Sequence, residues 1–229
     1  MRYKYLLWDL DGTLMDFLAA EKAAMQALFR KYGFGECTDE LIERYSEINQ
    51  RYWRALERNE MTKPEILVGR FREFFTQEGL DASQAEAYNA DYQLALGDTI
   101  VYCDNSLEYL QSKKQAGYIQ AVVTNGTKTA QIKKLSRSGF DQVFDYTFIS
   151  EDLGVEKPNK EFFDHVIAQM GIEDLGQAIV IGDSPTSDIL GGNNAGIDTC
   201  WYNPRGQVNT TTAAATYEIK QLQELDSII

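Results

Sequence analysis

Apolar and aromatic residues fill Tyr3 to Trp8 almost without a break. Such a run suits a strand buried on both faces, as in a parallel sheet. It ends abruptly at Asp9-Leu-Asp-Gly-Thr13. From about Phe17 to Leu96 the apolar positions recur every three to four residues instead. Leu18 to Lys31 predicts a first helix, stopped before Gly33. Thr38 predicts the cap of a second, in which Leu41, Tyr45, Ile48, Tyr52 and Leu56 form an amphipathic stripe. Thr62 and Pro64 open a third, which ends near Gly79. Ser83-Gln-Ala-Glu86 has the capping-box pattern that opens a fourth. Four helices with no strand between them predict a separate helical bundle.

After about Ile100 the rhythm alternates. Helices are expected at Ser106 to Ala116, Lys128 to Ser138, Lys160 to Met170 and Pro185 to Ala195. Strands are expected at Tyr118 to Val123, Tyr146 to Ile149, Ala178 to Ile181 and Thr199 to Tyr202, with a last helix near Tyr217 to Leu225. Alternation of this kind implies right-handed crossovers and a parallel sheet covered on both faces. The N-terminal strand must join that sheet. The expected fold is therefore α/β, with a core of residues 1–16 and 97–229 and an inserted helical bundle of residues 17–96.

Composition narrows the classes of function. The chain has 229 residues, 44% of them apolar and 25% charged, which is ordinary globular usage. Its net charge of −13 gives no general attraction for nucleic acid or anionic membranes. Cys37, Cys103 and Cys200 are odd in number and widely spaced, which favours reduced thiols over a disulfide framework. No run approaches the ~20 apolar residues of a membrane helix, and the N-terminus lacks a signal-peptide pattern. A cytoplasmic location is expected.

In open α/β sheets, ligands sit beyond the carboxyl ends of the strands. Asp9 and Asp11 follow the first strand, and Thr124-Asn125-Gly126 follow the second. Glu156-Lys157-Pro158 follow the third after a loop, and Gly182-Asp183 through Asp188 follow the fourth. Alternate residues of an extended segment face the same side, so Asp9 and Asp11 can serve one site. Carboxylates without paired His suggest a hard cation with oxygen ligands, most simply Mg²⁺, with Asp183 completing its shell. Thr124 and Lys157 suit phosphoryl oxygens. Gly12 and Gly126 leave backbone N–H groups open to an anion. The set fits phosphoryl transfer. His165 is the only histidine and falls inside a helix, which disfavours Ser-His-Asp chemistry and His-rich zinc sites. Gly191 to Gly196 does not complete a dinucleotide fingerprint, and no P-loop occurs.

Asp9-x-Asp11-Gly-Thr, Thr124-Asn-Gly, Lys157-Pro and Gly182-Asp183-x4-Asp188, in this order, resemble the four motifs of the haloacid dehalogenase superfamily. The resemblance implies a Rossmann-like core and makes Asp9 the nucleophile and Asp11 the acid/base. It implies phosphate binding by Thr124, Asn125 and Lys157. It gives Mg²⁺ to Asp9, the Asp11 backbone carbonyl and Asp183, with Asp188 orienting Lys157 or a metal-bound water. The helical block lies between the first and second motifs. This is similar to the subfamily whose caps close over the site and take small metabolites. Ser150 to Lys160, Ser187 to Gly196 and Thr199-Cys-Trp201 resemble the YjjG-type pyrimidine 5′-nucleotidases. The expected substrate is then a nucleoside monophosphate. The rivals are another small phosphorylated metabolite such as a sugar phosphate, a metal-independent haloacid dehalogenase, and a non-catalytic binding protein. On the second cap helix, Trp53 is a candidate base-stacking residue or simply bundle core.

Overall fold

Leu6, Leu7 and Trp8 are wholly buried because the strand that carries them lies at the middle of a sheet. The computed structural model describes residues 2–229. Its strands are β1 (Tyr5–Trp8), β2 (Ile119–Thr124), β3 (Tyr146–Ile149), β4 (Ala178–Gly182), β5 (Asp198–Tyr202) and β6 (Tyr217–Ile219). They form one sheet in the order β3-β2-β1-β4-β5-β6, with every pairing parallel. Trp8 lies opposite Val122 on one side and Ile181 on the other. This register brings the carboxyl ends of β1, β2 and β4 to one edge of the sheet.

The helices are α1 (Phe17–Tyr32), α2 (Asp39–Glu57), α3 (Lys63–Gln77), α4 (Ala85–Ala95), α5 (Ser106–Gln115), α6 (Lys128–Ser138), α7 (Ser150–Leu153), α8 (Lys160–Met170) and α9 (Leu190–Ala195). Alternate strand residues supply two cores. Leu6, Trp8, Val122, Ile179 and Ile181 pack with Tyr109 and Leu110 of α5 and Leu135 of α6. On the opposite face Leu7, Ala121, Val123 and Val180 pack with Phe162, Phe163 and Val166 of α8. Burying each large apolar side chain contributes about 1.5–3 kcal/mol, so the strands are held by both layers. Among the described residues no helix is long and apolar enough to cross a membrane.

The chain divides into two compact units. One comprises the residues up to Phe17 together with Ile100–Ile229; the other is Leu18–Thr99. The second is a helical bundle with an aromatic centre, in which Tyr45 stacks on Phe71 with ring centroids 4.9 Å apart. It also holds a buried polar chain. Asn49 Nδ2 donates to Glu21 Oε2 at 2.8 Å, and Arg70 Nη1 donates to Asn49 Oδ1 at 2.6 Å. Tyr92 and Ser46 donate to the same Glu21 carboxylate. Burial pushes the Glu21 carboxyl up from its ordinary value, against the pull of Ser46, Arg70, Tyr92 and Asn49. The Tyr52 hydroxyl donates to Glu73 of α3 at 3.1 Å, and the Arg70 guanidinium lies 5.9 Å from the Trp53 ring.

The structure departs from the expected elements at four places. Tyr217 to Leu225 is not a helix: β6 pairs along the edge of β5, and a 3₁₀ turn over Leu222–Ser227 follows. Thr199 and Thr216 exchange hydrogen bonds between backbone N–H and hydroxyl at 3.1 and 3.2 Å, which holds that edge. Ser83 does not cap α4. It sits in a 3₁₀ turn, and both its N–H and its hydroxyl donate to Asp81. The expected helix from Pro185 to Ala195 is a π-helical turn, Pro185–Ile189, running into α9. The short α7 carried too few residues to show a period.

Candidate active site

The loop after β1 folds back tightly. Asp9 N–H donates to the Ile181 carbonyl at 2.9 Å, and Gly12 N–H to the Met15 carbonyl at 2.8 Å. Gly12 has φ +95°, and a Cβ there would lie 2.5 Å from Asp183 Oδ2. Glycine thus lets the first loop press against the residue after β4. Thr13 Oγ1 lies 3.2 Å from Asp9 Oδ2 and 3.4 Å from Asp183 Oδ1, so its buried hydroxyl spans both carboxylates. Thr13 closes the first motif in the sequence, where its spacing alone predicts no role for it.

Lys157 is 1% exposed, and its ammonium has three acceptors for three protons. They are Asp9 Oδ1 at 2.8 Å, Asp188 Oδ1 at 2.6 Å and the Val123 carbonyl at 2.7 Å. Its backbone is fixed as firmly. Asn125 Nδ2 donates to the Lys157 carbonyl at 2.8 Å, and Lys157 N–H donates to Asn125 Oδ1 at 2.8 Å. The Asn125 side chain is therefore engaged with the lysine backbone. Asp188 Oδ2 accepts from Ser184 N–H at 3.1 Å, so both of its oxygens are held. Thr124 is buried at the end of β2, where its hydroxyl accepts from Gly126 N–H at 3.1 Å.

Carboxylate oxygens of Asp9, Asp183 and Asp188 all lie within 4.8 Å of one another. Three carboxylates thus face one ammonium. Burial pushes the Asp9 carboxyl up to about 7, with Lys157 pulling it down and Asp188 and Asp11 adding to the rise. Loss of water pushes Asp183 well above the carboxylate range, and Asp9 and Asp188 add to the rise. Burial alone would lower Lys157, but Asp188 and Asp9 hold it above its ordinary value. An all-oxygen, charge-deficient cluster with no His or Cys is the donor set of a hard divalent cation.

Asp11 faces different partners. Lys134 Nζ forms an ion pair with Oδ1, and Gln131 Nε2 donates to Oδ2 at 2.7 Å. Both partners come from α6, three residues apart, and each is 1% exposed. The spacing of Asp9 and Asp11 thus leads to two separately held carboxylates. The sequence pattern of α6 predicts a helix and no site residue. The available signal was an i, i+3 polar pair on the helix that opens directly after Thr124-Asn-Gly.

The sequence matches the model of the haloacid dehalogenase-like hydrolases over residues 6–202. It is 36% identical to the HAD-hydrolase YfnB of Bacillus subtilis over 228 residues, covering 100% of this chain and 96% of that protein. It is 36% identical to the pyrimidine 5′-nucleotidase PynA of Streptococcus pneumoniae, covering 98% and 94%. Against the pyrimidine 5′-nucleotidase YjjG of Escherichia coli the identity is 28%, covering 100% and 99%. A crystal structure of YfnB with magnesium bound superposes with a TM-score of 0.91 over 100% of this chain and 99% of that one. With the ordered strand-end residues and these likenesses together, the chain belongs to the haloacid dehalogenase-like hydrolases.

Proposed function

We propose that this protein is a Mg²⁺-dependent phosphomonoesterase acting on nucleoside monophosphates through an aspartyl-phosphate. The observation that carries the reading is the buried Lys157 ammonium, shared between Asp9 and Asp188 beside Asp183. The nucleotidase names of PynA and YjjG support the substrate class.

In this reading an Asp9 carboxylate oxygen attacks phosphorus. A new bond forms between that oxygen and phosphorus while the bond to the ribose oxygen breaks. Asp11 gives its proton to the departing oxygen, then takes one from the water that cleaves the aspartyl-phosphate. Lys157 holds Asp9 in place and neutralises phosphoryl charge, and Thr124 donates to a phosphoryl oxygen. Asn125 acts by fixing the Lys157 backbone, and Asp188 by orienting the Lys157 ammonium. Asp9, Asp183 and the Asp11 backbone carbonyl would hold Mg²⁺, which supplies positive charge against which a phosphate dianion can approach carboxylates. The helical unit, Leu18–Thr99, would carry substrate choice.

Phosphate release measured across nucleoside 5′-monophosphates and sugar phosphates, with Mg²⁺ and with EDTA, tests the reading. Pyrimidine nucleotides are expected to lead, and EDTA to abolish turnover. Activity that survives EDTA, or a sugar phosphate far ahead of every nucleotide, would reject it.

A further inference from the structure

We propose that Gln131 and Lys134 are positioning residues for the leaving-group acid, fixing the carboxyl plane of Asp11 from the two sides. The inference rests on the phosphomonoesterase reading and adds to it the source of Asp11's orientation.

Asp11 lies in a loop, and its side chain is a fifth exposed. An acid that must meet one oxygen of the substrate gains from a fixed direction, because a displacement of about 1 Å can cost about 10²-fold in rate. Each oxygen of Asp11 has its own partner: Lys134 on Oδ1 and Gln131 on Oδ2. Two contacts to two oxygens remove rotation about the last carboxyl torsion, which a single ion pair would leave free. The partners are themselves buried. The Lys134 ammonium is buried, and it lies 5.4 Å from the centroid of the Phe17 ring.

The geometry around Gln131 shows that room has been made for it. A Cβ on Gly126 would lie 1.7 Å from Gln131 Nε2, so any larger residue at that position would displace the amide. Gln131 Oε1 is buried without a hydrogen-bond partner, while Nε2 is given to Asp11. The amide N–H is thus directed at Asp11 rather than at a backbone carbonyl of its own helix. The glycine expected to expose its backbone to an anion thus has a second effect, admitting the side chain that orients the acid.

The test compares leaving groups. Gln131→Ala, Lys134→Met and Lys134→Arg are assayed for kcat/KM on p-nitrophenyl phosphate and on the best alkyl phosphate of the substrate panel. Because p-nitrophenolate leaves without a proton, loss of a well-aimed acid should fall on the alkyl ester. Gln131→Ala and Lys134→Met are expected to lose about 10²-fold on the alkyl ester and under about threefold on the aryl ester. Lys134→Arg should recover most of the alkyl activity. If Lys134→Met does not fold, Gln131→Ala and Lys134→Arg still decide the matter. Equal losses on both esters, or none, with an active parent would overturn the positioning role alone. A parent enzyme that hydrolyses neither ester would remove the phosphomonoesterase reading, and the inference with it.

Discussion

Asn125 and Lys157, 32 residues apart, exchange two hydrogen bonds of 2.8 Å between one side-chain amide and the backbone N–H and carbonyl of one residue. The amide reads the lysine backbone as a neighbouring strand would, accepting from its N–H and donating to its carbonyl. The loop after α7 is thereby tied to the end of β2, and the Lys157 ammonium is delivered to Asp9 and Asp188. Replacing Asn125 with Ala removes both bonds and frees the loop. A fall of about 10²-fold in kcat is expected, since the ammonium then loses its fixed place. Asn125→Asp keeps the acceptor for Lys157 N–H and should lose less. Steady-state kinetics at saturating substrate measure this, and an Asn125→Ala protein with parental kcat would show that Lys157 is placed by its ion pairs alone.

Gly12 and Asp183 make a second prediction. An alanine at position 12 would have to hold φ near +95° and would meet the Asp183 carboxylate at 2.5 Å. The backbone alone should cost about 1–3 kcal/mol. With Mg²⁺ held by Asp183 as proposed, the displaced carboxylate should also weaken the stabilisation expected on adding the metal. Thermal unfolding with and without Mg²⁺ is the measurement. The expected result is a lower melting temperature for Gly12→Ala and a smaller upward shift on adding the metal. A parental shift would separate Asp183 from metal binding.

The strands and the order of the strand-end residues were legible because their signals are local. A doubly buried strand writes a continuous apolar run, as Leu6 to Trp8 does, and an abrupt polar residue marks its end. The elements that differ depend on partners that the apolar pattern does not state. Tyr217 to Ile219 becomes a strand because the edge of β5 is available to it, and nothing in its own sequence states that edge. Ser83 loses its expected cap to Asp81, which offers a stronger acceptor two residues earlier. At the site, Asp9, Lys157, Asp183 and Asp188 were legible as residues following strands. Lys134 and Gln131 were not, because a buried lysine on an amphipathic helix looks the same as a solvated one until its acidic partner is placed. Their partner, Asp11, lies more than a hundred residues away in the sequence.

Glu21 supplies a prediction about pH. Its carboxyl is raised above 4.5 in the folded protein, first by burial. The folded state therefore holds its proton where the unfolded chain has released it. Stability from this group is full below pH 4.5 and declines as pH rises toward the higher folded value. Glu21→Gln stays neutral at every pH. Its amide oxygen can accept from Asn49 and Tyr92, and its NH₂ can face the Ser46 hydroxyl. The stability of Glu21→Gln relative to the parent should be lowest near pH 4 and rise toward neutrality. Denaturant unfolding at a series of pH values tests this, and a difference that shrinks with rising pH would contradict the direction.

The separate holding of Asp9 and Asp11 predicts two distinct kinetic defects. Asp9 is tied to Lys157, and Asp11 to Lys134 and Gln131, so replacing one leaves the partners of the other in place. With Asp9 as the proposed nucleophile, Asp9→Asn should form no covalent phosphoenzyme with any substrate. On the proposed roles, Asp11→Asn keeps the nucleophile and loses the proton donor, a contribution of about 10²–10⁴-fold in general acid–base catalysis. With a nucleotide, whose ribose oxygen leaves poorly, the first step should slow by that amount. With p-nitrophenyl phosphate the leaving group is a weak base and departs without help, so Asp9 should still be phosphorylated. Hydrolysis of that intermediate then lacks the base that activates water. Rapid mixing of Asp11→Asn with p-nitrophenyl phosphate should give a burst of p-nitrophenolate near one equivalent per enzyme, followed by slow turnover. Asp9→Asn should give neither phase. Nucleotide turnover at the parental rate by Asp11→Asn, or a covalent phosphoenzyme on Asp9→Asn, would reverse the assignment of the two aspartates.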